Sequence, residues 1–135
     1  MFGPARSRAA TAYRQVGVQS MVDGASPHRL IQMLFEGLMQ SLNAARGALQ
    51  RGEIEEKGRL INKSCRILEE GLKASLDPSQ GEIASNLSAL YDYCNTRLML
   101  ANARNDVTLI DEVVSLVAPI ADGWSQIAPA QAEGA

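Results

Sequence analysis

Four stretches of this chain repeat apolar residues at three- and four-residue steps, the first three closed by residues that end helices, and this constrains the fold more than any other feature. Ser26-Pro27 opens the first, because a serine oxygen can accept backbone N–H bonds at an N-cap and proline fits the first helical position. Leu30, Ile31, Leu34, Phe35, Leu38, Leu42, Ala45 and Leu49 follow, and Gly52 supplies the stop. The second stripe runs through Ile54, Ile61, Cys65, Leu68, Leu72 and Leu76 to the turn sequence Asp77-Pro78-Ser79-Gln80-Gly81. Ile83, Leu87, Leu90, Tyr91, Cys94, Leu98 and Ala101 form the third, ending at Asn105-Asp106, a pair suited to a C′ residue and a new N-cap. The fourth holds Ile110, Val113, Val114, Val117, Ala121 and Trp124, with Pro119 inside it predicting a kinked or shortened helix.

Four amphipathic helices joined by short connections bury their faces most simply as an antiparallel up-down-up-down bundle, an all-α fold. At 135 residues the chain suits one domain, and its apolar 46% is mostly aliphatic, with aromatics at only 4%. Residues 26–125 form the expected bundle. Residues 1–25 lack a long stripe and read as a loosely held arm with at most a short helix; residues 126–135 read as a disordered tail.

Several functional classes find no support. Net charge is −2 and no basic stripe gathers, which argues against nucleic acid. The N-terminus has no secretory h-region and no apolar run is long enough to span a bilayer, so a cytosolic protein without stable membrane insertion is expected. Cys65 and Cys94 fall within helical stripes and read as small core hydrophobes rather than a disulfide. The lone histidine, His28, falls in a first helical turn with no partner ligand and reads as solvated. Gly47 to Gly52 mimics a phosphate loop but lacks the Lys-Ser/Thr that follows in one, and no Glu-x-x-His spacing suits a di-iron bundle. No cofactor is therefore expected. A small bundle can catalyse by holding a dicarboxylate on core cations, as chorismate mutases do. Here Arg29, Arg46, Arg59, Arg66 and Arg97 lie between the stripes, as solvated residues with acidic neighbours, and the expectation is no enzyme.

A further set of segments runs along the chain: Ala25-Ser-Pro-His-Arg-Leu-Ile-Gln-Met-Leu-Phe-Glu-Gly37, Gly71-Leu-Lys-Ala-Ser-Leu-Asp77, Gly81-Glu-Ile-Ala-Ser-Asn-Leu87, Leu90-Tyr-Asp-Tyr93, Ala101-Asn-Ala-Arg-Asn-Asp106 and Ile120-Ala-Asp-Gly-Trp124, with Ala12-Tyr13-Arg-Gln-Val16 upstream. In these segments, which occur in order across about residues 10 to 128, the chain resembles the flagellar secretion chaperone FliS family. The resemblance implies a cytosolic chaperone that binds the C-terminal segment of flagellin, prevents its premature polymerisation and delivers it to the type III export apparatus. It also implies contacts with the export gate and other flagellar proteins, and an arm whose tyrosine, here Tyr13, plugs the client groove. Ala10 stands where the family favours an aliphatic, a single Gly81 replaces a frequent Gly-Gly pair, and Pro119 interrupts a helix usually free of proline.

Residues on the main stripes, such as Leu34, Leu38, Leu68, Leu87, Leu98 and Val117, are expected in the core, as is Tyr91. Apolar residues beside the stripes have no evident internal partner, which makes Met33, Met39, Tyr93, Met99 and Leu100 candidates for client contact alongside Tyr13. A bundle that pairs with itself or with another flagellar regulator through the same surface is the competing reading.

Overall fold

The computed structural model describes residues 8–12 and 24–127, and among these it contains helices and no strand. Helix α1 is Pro27–Gln50, α2 is Ile54–Arg66 continuing as a π-helix over Ile67–Lys73, α3 is Glu82–Arg104 and α4 is Val107–Gln126. Each boundary has a local cause. The Ser26 side chain accepts a bond from the Arg29 N–H at 3.1 Å with Pro27 behind it, and Gly52, at φ 76°, lets the chain reverse after α1. Asp77 caps the single 3₁₀ turn Pro78–Gln80. Asn105 takes the left-handed conformation at φ 52° after α3, and Asp106 caps α4 by accepting from the Thr108 N–H at 2.9 Å.

Burial continues across the passage from α to π winding in α2: Ser64, Leu68 and Leu72 are buried at four-residue steps, as are Ile67 and Gly71.

Cross-helix contacts fix the topology. Ser41 on α1 accepts from Ser64 of α2 at 2.9 Å, whereas His28 and Arg46, at opposite ends of α1, meet Trp124 and Asp111 of α4. Lys57 and Lys73 on α2 reach Asn105 at the end of α3 and Asp92 within it, and Arg97 of α3 reaches Glu112 of α4. The paired contacts set α4 antiparallel to α1 and α3 antiparallel to α2, and the short connections at 51–53 and 105–106 reverse the chain within the other two pairs, which is the up-down-up-down arrangement. Its core holds Leu30, Leu34, Leu38, Leu42, Ile61, Leu68, Leu98, Ile110, Val113 and Val117, all at most 1% exposed.

The five arginines singled out in the sequence do form ion pairs: Arg29 with Glu36, Arg46 with Asp111, Arg59 with Glu56, Arg66 with Glu70 and Arg97 with Glu112. Three local expectations change. α4 runs unbroken past Pro119, because that ring lies on the exposed face and the Ser115 carbonyl it leaves without a helical donor is on a solvent-facing residue. His28 is buried, not solvated, because Trp124 stacks on it. Cys65 and Leu87 are only half-buried, although Cys94 is fully enclosed. Burial pushes both thiols up to about 11.

Candidate binding cleft

Up-down-up-down topology brings the start of α1, the end of α2, the start of α3 and the end of α4 to the same end of the bundle. There the helices do not close on one another. A cleft of about 200 Å³ opens among Ile31 and Phe35 of α1, Leu72 and Leu76 at the end of α2, Ile83, Leu87 and Tyr91 of α3, and Ile120 and Trp124 of α4. Arg8, Asp77 and Gln80 supply a polar rim, and Arg8 approaches Asp77 at 3.9 Å. Hydrogen bonds from the Ser79 backbone and hydroxyl hold the Asp77 carboxyl below its ordinary range, so it is charged at neutral pH. Ile83 is 66% exposed at the cleft edge and extends the apolar lining of the cleft to the surface. Tyr91 is buried in the wall, and desolvation pushes its phenol well above the ordinary range.

Two features build the α1–α4 side of this cleft. The His28 Nε2–H donates to the Trp124 carbonyl at 2.8 Å, and the Trp124 indole N–H donates to the His28 carbonyl at 3.0 Å. Because a carbonyl only accepts, the bond places the imidazole hydrogen on Nε2. The rings stack with centroids 5.1 Å apart and planes 15° from parallel. On the opposite rim, residues 8–12 form a helical turn whose Ala9 lines the cleft, and Ala9 and Ala10 join the core.

The side chains selected from sequence lie elsewhere. Tyr13 falls outside the described residues. Met33 and Met39 are six positions apart on α1, about 240° round the helix, so they flank opposite edges of its buried face. Both, with Leu100, are half-buried and pack on the core, so the premise that they lack internal partners does not hold. Tyr93 and Met99 are open to solvent, at 44% and 64%. They are also six positions apart on α3 and do not form one groove with each other. The Tyr93 hydroxyl donates to Glu112 Oε2 at 2.5 Å, and Arg97 Nε donates to Oε1 of the same carboxylate at 2.7 Å. These bonds hold Glu112 below the ordinary carboxylate range, and the Arg97 guanidinium lies 5.7 Å from the centre of the Tyr93 ring. Sequence reasoning passed over the cleft because its walls are the ends of the main stripes and so read as core. Its one visible signal was the row Ile83, Leu87, Tyr91, which carries large apolar residues into the very first turn of α3.

Among the described residues no three His, Cys, Asp or Glu side chains are grouped to hold a metal, and no helix is long and apolar enough to cross a membrane. What the site offers is apolar, concave and solvent-accessible surface, suited to holding a side chain or helix face rather than to moving protons or charge.

Comparison with known proteins gives one consistent match. Residues 9–131 fit the family model described as flagellar protein FliS. The flagellar secretion chaperone FliS of Salmonella typhimurium is 50% identical over 119 residues, covering 87% of this chain and 88% of that protein. Flagellar secretion chaperone FliSB of Pseudomonas aeruginosa is 45% identical, covering 89% and 95% respectively. Its counterpart in Bacillus subtilis, flagellar secretion chaperone FliS, is 32% identical over 86% of this chain and 83% of its own length.

Proposed function

The chain belongs to the FliS family of flagellar secretion chaperones, which are not enzymes, and we propose that it binds the C-terminal segment of flagellin in the cytosol, keeps it from polymerising early and delivers it to the type III export apparatus. The observation that carries this reading is the apolar cleft at the open end of the bundle, with Ile83 exposed at its edge. An export substrate with apolar terminal helices self-associates unless a carrier covers those stripes, and a groove between helices gives complementary cover. Tyr93 and Met99 offer further exposed contacts on α3 for a client that wraps round the bundle. Ordering a disordered client costs free energy, which holds affinity below what buried area alone implies and favours later release. The export gate and other flagellar proteins are secondary partners in this reading. Ala9 and Arg8 at the cleft favour an arm that competes with the client, with Tyr13 as its anchor.

Isothermal titration of the full chain with a peptide spanning the flagellin C-terminal helix tests this directly. Saturable 1:1 binding with a negative heat-capacity change is expected, since apolar area is buried, and removing residues 1–25 should tighten it. Absence of binding by both forms would reject flagellin as client and leave a helical bundle that pairs with itself or with another flagellar regulator.

A further inference from the structure

The resting cleft, at about 200 Å³, is smaller than the 300–1,000 Å³ typical of pockets that enclose even a drug-sized ligand, so a helix seating several apolar side chains needs more room. The four walls differ in how firmly they are anchored. Phe35, Leu72 and Tyr91 are rooted in the core. By contrast, Val117 is the last fully buried residue of α4; from there to Gln126 every side chain is half-buried or exposed.

Two local features soften the junction behind that segment, and a third leaves the segment itself open on one face. Pro119 has no N–H, so the Ser115 carbonyl receives no helical bond from it. The Ser115 hydroxyl donates to the Glu112 carbonyl at 2.7 Å, a back-bond that bends helices. Gly123 lies within the segment, and a Cβ built there would meet nothing within 4 Å, so that face of the terminal turns has no neighbour among the described residues. Ile120, Ala121 and Trp124 touch the core, and the reciprocal His28–Trp124 pair ties the segment to α1 through polar bonds.

We propose that the last two turns of α4, from Ile120 to Gln126, are a movable wall of the cleft, hinged at Pro119 and latched by His28 and Trp124, that swings outward to admit a client helix. The client half of this proposal rests on the flagellin reading; the hinge does not. Opening exposes Ile120 and Trp124 and lengthens the groove along α1, so a client replaces the contacts the wall gives up.

Trp124 is the chain's one tryptophan and reports on the wall directly. In the free full-length chain, amides of residues 120–126 should exchange through one shared opening, about tenfold or more faster than those of 110–117, with a step at Pro119. Pro119→Ala, which restores the missing donor on an exposed face, should remove most of that step. His28→Ala, which breaks the latch, should enlarge it. Protection that fades smoothly inward from residue 126 and ignores Pro119→Ala is ordinary end fraying and would overturn the hinge. Adding the flagellin C-terminal peptide should shift Trp124 emission and raise exchange in 120–126. Saturating heat of binding with both readouts unmoved would overturn the movable wall and leave the chaperone reading intact. No heat would reject the chaperone reading and with it the admission of a client, while the step at Pro119 in the free chain still decides the hinge.

Discussion

Replacing Ile83 with alanine separates binding from folding more cleanly than any other change in the cleft. The substitution removes three carbon groups, each contributing about 0.8 kcal/mol when taken out of water. Because 66% of the residue is open in the free chain, a client that covers it fully gains about 1.6 kcal/mol from those groups. Losing that contribution raises Kd by about fifteenfold. The fold should not suffer, because Ile83 is the second residue of α3 and alanine is the better helix former. Titration of Ile83→Ala against the flagellin peptide, with helicity checked by circular dichroism, measures this. Met99→Ala, a change on solvent-exposed α3 outside the cleft, should weaken binding less. A folded Ile83→Ala protein whose Kd moves by less than twofold would remove the cleft from the client site.

Gly52→Ala places a Cβ at φ 76° with none of the described residues within 4 Å, so its cost is conformational, about 1–2 kcal/mol in urea unfolding. Leu38→Ala empties a fully enclosed core position and should cost about 2–5 kcal/mol by the same assay. With its thiol pushed up to about 11 and fully enclosed, Cys94 should resist alkylation of the native protein at pH 8 and react only on unfolding; rapid labelling of both cysteines, rather than of half-buried Cys65 alone, would contradict that burial. Asp77, Asp106 and Glu112 all have carboxyls held low by hydrogen bonds, so the folded state binds fewer protons than the unfolded chain. Their stabilisation is present above the ordinary carboxylate range and is lost as pH falls through the folded values, so urea midpoints should hold from pH 7 to about 5.5 and drop below about 4.5. Asp106→Asn should flatten that fall, and an unchanged pH profile would show that the cap contributes nothing.

Helix number, most boundaries and pairing order were legible in the amino-acid sequence because they depend on local chemistry. Ser26-Pro27, Gly52 and Asn105-Asp106 act through their own backbone preferences and capping atoms, and stripe spacing is a property of each segment alone. Arginines between the stripes could be placed for the same reason. The cleft could not be read this way. Phe35 and Leu87 sit on the same kind of stripe as Leu38 and Leu98, and only the packing of four helix ends decides which are sealed and which face an opening. Met33, Met39 and Leu100 went the other way, finding core partners off the main stripe because long side chains reach across a helix edge. His28 makes the same point: a first-turn histidine is solvated by default, and only its meeting with Trp124, 96 residues further along the chain, buries it and gives its ring nitrogen a partner. Local spacing thus determined which faces turn inward, while closure of the bundle end, a contest between distant side chains for the same space, was decided by the tertiary structure alone.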